Sequence, residues 1–275
     1  MPVYNGELFI RQALDSLSAQ TFSEFELIIS DNGSMDATEA ICREYASRDK
    51  RIRYFRHSEN RGAIFNFNFV LEQARGEYFM WAAHDDMWDT SWIAVLLRNF
   101  DDGASISFGH VVNIDENGEI VRNYAPFRFS GNRLFRLVKF YMAEDGKGKA
   151  NLIYGIYKTE MVRRMAIEGY DKHSFAGDML FVFNCLQYGD IQTDKSVYLY
   201  KRIRNDGVRS YNLGTIVSSI LLLNRLKSYI SYVSIATGCF EKTILILLFP
   251  IKYIFSCFLN VKYFVNKAFY QMLNR

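Results

Sequence analysis

The chain has 275 residues, enough for one large α/β domain or a domain with an appendage, and enough to bury a sizeable core. It is rich in Phe and Tyr and has only 3 Pro, and its four cysteines show neither C-x-x-C pairs nor metal-ligand spacing, which excludes a disulfide framework and a zinc module. The net charge of +3 hides an asymmetry: residues 201–275 hold 11 Lys/Arg against 2 Asp/Glu, so the first 200 residues are mildly acidic and the tail strongly basic. Residues 1–20 carry no basic stretch followed by a long apolar run, so no secretory leader is read there, and no nucleic-acid partner is expected.

The opening "MPVYNG" looks like the end of a strand running into a turn. Residues 7–20 place Leu8, Phe9, Ala13, Leu14 and Leu17 at helical spacing. "FELIIS" (25–30) is a short apolar run of the buried parallel type, and "DNGS" follows as a loop. Asp36 offers an N-cap to a helix over 37–49. "RIRYFR" (51–56) is a strand, "NRG" (60–62) a loop, and 63–74 a helix. "EYFMWAA" (77–83) is a further strand ending in "HDD" (84–86), with a helix from about Thr90 and another strand over 104–111. The alternation predicts a mixed, mostly parallel sheet with helices on both faces, whose ligands lie beyond the carboxyl ends of the strands.

Beyond residue 115 the pattern predicts a helix over 132–143, a strand or loop at 151–157, and a short helix to about Ala166. An almost wholly apolar helix over 177–189 should be buried. A strand follows at 195–203, and two long apolar, basic helical stretches follow Leu213. The chain divides at residue 210 into an α/β domain (1–210) and a basic helical region (211–275).

Five features carry chemistry. Asp31, directly after a strand, suits a nucleobase or sugar hydroxyl; as plain structure it closes an Asx-turn. Asp85 and Asp86 suit a hard cation, Mg²⁺ or Mn²⁺, held with substrate phosphates; the plainer reading is a helix cap. Asp178 opens an apolar helix and is a candidate general base, or else a cap. Lys201, Arg202, Arg204 and Arg209 could neutralise a diphosphate, or form a solvated basic face. The apolar run 243–261, broken by Pro250, Lys252 and Asn260 and flanked by lysines, fits a helix in an anionic membrane interface. A spanning helix and a buried helical subdomain are the alternatives.

In order and spacing, "MPVYNGELFIRQALDSLSAQTFSEFELIISDNGSMDAT", "ENRG…N…ARGEYFMWAAHDD", "GDMLF" and "YLYKRIRNDGVRS" together resemble family 2 glycosyltransferases, the inverting nucleotide-sugar enzymes of the GT-A fold. The resemblance covers about the first 210 residues. It implies that Pro2 and Tyr4 flank the nucleobase and that Asp31 binds it, with uracil expected. It adds Asn60, Gly62 and Asn68 to the nucleotide site and gives Asp85 the ribose and, with Asp86, the metal. Asp178 becomes the general base, and Arg202 and Arg209 face the leaving diphosphate. Three positions depart from the family pattern: Ala83 replaces the first Asp of the DxD motif, Phe67 an Arg, and Gly177 the acid before the base.

The implied reaction moves a sugar from a nucleotide diphosphate sugar, expected to be a UDP-sugar, to an acceptor hydroxyl with inversion. The expected acceptor is a saccharide or lipid-linked saccharide of bacterial surface polysaccharide, met at the cytosolic face of the cell membrane. A nucleotidyltransferase of similar fold and a non-catalytic nucleotide-sugar binder are the alternatives. In the resembled family, about four to six apolar residues precede "MPVYNG" and complete the first strand. Met1 is therefore expected to be an internal methionine of a truncated chain, with low stability and weak donor binding.

Overall fold

The computed structural model describes residues 1–101, 104–165, 177–203 and 223–273. Its first layer is a three-stranded parallel sheet in the order β1 (Pro2–Val3), β2 (Leu27–Asp31), β3 (Ile52–Arg56). All five residues of β2 are buried, as the apolar run predicts for a strand covered on both faces. Helix α1 (Ile10–Ser18) buries Ile10, Ala13, Leu14 and Leu17, one face at helical spacing. Helix α2 (Thr38–Arg48) follows the loop after β2; its N-cap is Ala37 rather than the expected Asp36, whose carboxylate still accepts from Thr38 N at 3.0 Å just ahead of the helix. Helix α3 (Ala63–Gln73) buries Asn66, Val70 and Leu71.

The second sheet is mixed, as the expected mixed sheet allows. It runs β4 (Tyr78–Phe79), β8 (Ile156–Lys158), β6 (Ile106–Ile114), β9 (Ile191–Arg202), β5 (Met87–Trp88), with β7 (Ile120–Asn123) on the flank of β6. Among the described strands, β6 with β9 is its parallel pair, and the other pairings are antiparallel. Parallel pairing thus belongs to β1–β3 and this one central pair. β9, a 12-residue strand, pairs with β6 in parallel on one edge and with β5 antiparallel on the other.

The expected strand over 77–83 forms ladder bonds at Tyr78–Phe79, against β8. Its continuation is fixed by side chains instead: Trp81 is fully buried and donates from Nε1 to Phe67 O at 3.1 Å. On the other edge of β4 lies a cavity of about 650 Å³. Met1, Leu27 and Ile28 line it on the β2 side, Tyr78 and Met80 on the β4 side, and Val70 of α3 closes one face. Met1 is itself buried, with its N bonded to Ile28 O and its O to Ser30 N, in the parallel register that β1 continues.

Helix α4 (Trp92–Asp101) packs under β6 and β9. Helix α5 (Arg133–Met142) is capped by Asn132, whose Oδ1 accepts from Phe135 N at 2.9 Å. Two 3-10 turns follow, Asp145–Lys147 and Lys149–Tyr154; the stretch 151–157 expected as strand or loop is shared between the second turn and β8, which begins at Ile156. Helix α6 (Thr159–Arg164) follows β8, and α7 (Gly177–Cys185) is buried nearly all round, as its composition predicts. Trp81, Tyr157 and Phe181 meet edge to face at the centre of the core. The C-terminal region forms α8 (Leu223–Ile235) and α9 (Cys239–Leu273).

Candidate active site

The site is built at the carboxyl ends of β1 and β2, where the first layer meets the end of β9. The chain leaves β1 through Asn5, in a left-handed conformation (φ 49°), and Asn5 Oδ1 accepts from Met35 N at 3.0 Å. Gly6 follows, and a Cβ there would lie 2.7 Å from the His84 ring. The β1 turn and the "HDD" segment therefore touch, and only glycine allows the approach. Tyr4 is 38% exposed at this mouth, whereas Pro2 is buried in the strand.

Asp31 is fully buried and engaged by the protein itself. Its Oδ1 accepts from Ser34 N at 2.8 Å and its Oδ2 from Tyr54 Oη at 2.7 Å. The Asx-turn reading of Asp31 is thus realised, and each oxygen keeps one further lone pair. Beside it, Asn60 Oδ1 accepts from Asn32 Nδ2 (2.8 Å) and Gly62 N (2.9 Å), and Asn32 Nδ2 also reaches Gly62 O at 3.1 Å. Gly62 holds φ 88° ahead of α3, a conformation that favours glycine. Asn60 and Gly62 are thereby fixed next to the loop after β2. Asn68 is half-buried on α3.

The residue of α3 that reaches the β1 strand is Asn66. Its Nδ2 donates to Val3 O at 3.2 Å, and its buried Oδ1 has no partner among the described residues. Asn66 was not among the residues expected from the sequence, where Asn68 carries the family resemblance. The available signal was Asn66 standing one turn before Val70 on the buried face.

The acid pair is brought to the end of β9 by the antiparallel register Met87↔Tyr200 and Trp88↔Leu199. Asp86 is fully buried: Oδ1 accepts from Arg202 N at 2.9 Å, and Oδ2 lies 3.4 Å from Lys201 Nζ. Burial pushes its carboxyl up to about 6, with the Lys201 ammonium pulling it back and Asp85 adding to the rise. Asp85 is half-buried, and its recorded hydrogen bond uses the backbone carbonyl, which accepts from Arg202 Nε at 3.1 Å.

Arg202 itself is committed to the scaffold. Its Nη1 donates to Asp115 O (2.8 Å) and Glu116 O (3.0 Å), its Nη2 to Gln12 Oε1 (2.5 Å), and its guanidinium lies over the Phe9 ring. It is a buried clamp across α1, β5 and the end of β6, so its donors are not turned to a ligand as expected. Among the described residues, the cation left at the acid pair is its neighbour Lys201, a quarter exposed, with Nζ 4.6 Å from the centre of the Tyr154 ring. Burial alone would lower the Lys201 ammonium, but Tyr154, Asp86 and Asp85 together hold it above its ordinary value. Arg204 and Arg209 lie outside the described residues, as does the expected boundary at 210.

Asp178 stands in the first turn of α7, its Oδ1 accepting from Met179 N at 2.7 Å. Burial raises its carboxyl above the usual range, against the lowering effect of that amide, Lys201 and Lys149. Lys201 links the Tyr154 ring to Asp86, and α7, which carries Asp178, packs on the 3-10 turn that ends in Tyr154. This arrangement can hold a cation and a polyanion at one end and take up a proton at the other.

The oxygen chemistry fits a hard divalent cation: Asp85 presents a half-exposed carboxylate next to buried Asp86. Among the described residues no group of three or more His, Cys, Asp or Glu comes together that could hold a metal ion.

The family model for glycosyl transferase family 2 matches residues 1–170. An uncharacterized glycosyltransferase of Rickettsia felis is 36% identical over 131 residues, 46% of this chain and 21% of the relative. The chain thus spans about a fifth of that relative's length. A GalNAc(5)-diNAcBac-PP-undecaprenol beta-1,3-glucosyltransferase of Campylobacter jejuni is 21% identical over 209 residues, 76% of this chain and 65% of the relative. Among solved structures, S. aureus TarS 1–349 in complex with UDP-GlcNAc superposes with a TM-score of 0.62 at 20% identity, covering 89% of this chain and 67% of that one. The mannosyltransferase PcManGT of Pyrobaculum calidifontis, in complex with GDP-Man and Mn2+, gives 0.57 at 19% identity over 89% and 66%. The structural likeness shows the fold, GT-A, and the match over residues 1–170 shows the family: the chain belongs to glycosyl transferase family 2.

Proposed function

We propose that this chain transfers a sugar from a nucleotide diphosphate sugar, with a UDP-sugar as first candidate, to an acceptor hydroxyl with inversion. The observation that carries the reading is the Lys201–Asp86 pair beside Tyr154, with the Asp178-bearing helix α7 packed on the same turn, in a family 2 chain. The nucleoside lies against Tyr4, at the turn after Pro2, with Asp31, Asn60, Gly62 and Asn68 shaping the pocket. Asp31 acts through its remaining lone pairs and through the loop it closes.

Asp85 would hold Mg²⁺ or Mn²⁺ together with donor phosphates, and Asp86 flanks it. A metal there, when bound, supplies Lewis-acid stabilisation of the leaving diphosphate. Lys201, rather than Arg202, gives the protein's own positive charge to that diphosphate, held in place by Asp86. Arg202 fixes the backbone on which Lys201 stands, and Arg209 keeps its proposed role beside the diphosphate. Asp178 removes the acceptor proton as the hydroxyl attacks the anomeric carbon from the face opposite the leaving group. Its raised carboxyl matches a base that must hold a proton after transfer.

The acceptor is a saccharide or lipid-linked saccharide of bacterial surface polysaccharide synthesis. The Campylobacter relative, named for an undecaprenol-linked substrate, supports that class. The domain over 1–210 works at the inner face of the cell membrane, with the basic helical region 211–275 in contact with the membrane surface. The test is a donor screen following release of the nucleoside diphosphate, with and without Mn²⁺. Release that needs both donor and metal supports the reading; release of pyrophosphate from a nucleoside triphosphate instead contradicts it.

A further inference from the structure

Helix α9 presents an apolar face that the described fold leaves uncovered. Leu247, Ile251, Ile254, Phe258, Val261 and Val265 recur at steps of three and four residues, and each is 42–67% exposed. The band widens on its flanks to Ile246 and Phe255. It covers about half the helix circumference, broader than the two-in-seven seam of a coiled coil. A second copy of the chain is therefore a poorer match than a continuous apolar medium.

The opposite face is pinned to the α/β domain. Leu245, Lys252 and Ser256 are buried. Lys252 Nζ donates to Ala143 O at 2.8 Å and to Asp145 Oδ1 at 3.1 Å, and Arg133 Nε reaches Glu241 Oε1 at 3.2 Å near the helix start. The stretch Cys239–Lys262 has 24 residues, about 36 Å of helix, enough to cross a hydrocarbon core of about 30 Å. But Lys252 falls in the middle of that stretch and is bonded to the domain. Spanning would pull Asp145 and α5 into hydrocarbon, at a prohibitive cost in buried charge.

Charge selects the kind of surface. Residues 223–273 contain six Lys/Arg and a single acid, Glu241, which already faces Arg133. Lys262 is exposed at the distal end of the apolar band. A cationic, apolar-faced helix suits anionic headgroups over acyl chains.

We propose that α9 is an in-plane membrane anchor whose apolar face sinks into an anionic bilayer, while Lys252 and Asp145 hold the catalytic domain on its other side. This goes beyond membrane contact by assigning the face and the orientation and by excluding a span. Asp145 also pairs with Lys149 at 2.8 Å, and Lys149 opens the 3-10 turn whose last residue is Tyr154. The anchor is thus joined to the site through one short turn, which sets the height of the site above the lipid.

The test uses the full chain and preformed vesicles of phosphatidylcholine with or without phosphatidylglycerol. Flotation should show binding that needs the anionic lipid. Ile254→Trp should be quenched by bromine-labelled acyl chains. Native Cys239 and an introduced Asn266→Cys should both react with an impermeant maleimide added outside. Ile254→Asp with Phe258→Asp, both at exposed positions, should lower the bound fraction about tenfold with unchanged circular dichroism and nucleotide affinity. Absence of vesicle binding overturns the proposal. So does labelling of only one of the two thiols, which means a span. So does shielding of Ile254→Trp by self-association without lipid quenching, which means a second copy. None of these readouts depends on sugar transfer.

Discussion

Lys201 Nζ stands 3.4 Å from Asp86 Oδ2, an ion pair closed by the antiparallel pairing of β5 with β9. It joins two stretches more than a hundred residues apart, and in the proposed reaction it puts a cation beside the leaving diphosphate. Lys201→Met strips a fully buried carboxylate of its cation. The expected loss is about 1–3 kcal/mol in chemical denaturation, since Asp86 retains the Arg202 N–H. Pairing it with Asp86→Asn should recover most of that stability but not the affinity for a nucleoside diphosphate, measured by calorimetry. Recovery of both would make Lys201 purely structural.

As the proposed base, Asp178 should set the acid limb of the rate profile. Burial raises its carboxyl, so the proton-accepting form is lost at a higher pH than for an exposed aspartate. Turnover at saturating donor should therefore fall as pH drops through that raised value, while donor binding stays level. The same shift acts oppositely on stability: the protonated form is favoured by the fold, so this contribution is present at low pH and fades as pH rises through the raised value. Asp178→Asn should remove the fading. A denaturation series against pH in both proteins checks the sign.

Asp145 makes the acid-sensitive joint between α9 and the domain. Burial alone would raise its carboxyl, but Lys149 and Lys252 hold it well below the usual range. Its stabilisation is fully present above the unfolded carboxylate value, about 3.9, and is lost as pH falls through the lowered native value. Asp145→Asn leaves two buried ammonium groups facing a neutral side chain and should cost about 3–5 kcal/mol. Hydrogen exchange in α9 should rise with it. Unchanged exchange would mean that α9 is held by apolar contacts alone.

Most of the first layer was legible in the sequence. The run of β2 and the spacing of Ile10, Ala13, Leu14 and Leu17 leave little choice once one face must be buried. The direction of strand pairing was not legible. Nothing local at Tyr78 or Met87 says that their partners are Lys158 and Tyr200, because pairing depends on contacts distant in sequence. Asp85, Asp86 and Asp178 were visible as acids at element ends. Which cation they meet was not, since Lys201 and Arg202 are adjacent and the strand alternation turns one to the site and the other into the scaffold. Asn66 was hidden for a related reason: a polar residue on a buried helix face reads as an exception until the strand end it serves is known.

The central claim is that Asp178 is the base of a sugar-transfer site whose nucleotide end is independent of it. The direct measurement is turnover and donor dissociation constant in Asp178→Asn against the unaltered chain, with a nucleotide diphosphate sugar, Mn²⁺ and a saccharide acceptor. Turnover should fall by about 10²–10⁴ with the dissociation constant unchanged within a factor of about two. Full turnover in Asp178→Asn would contradict the account.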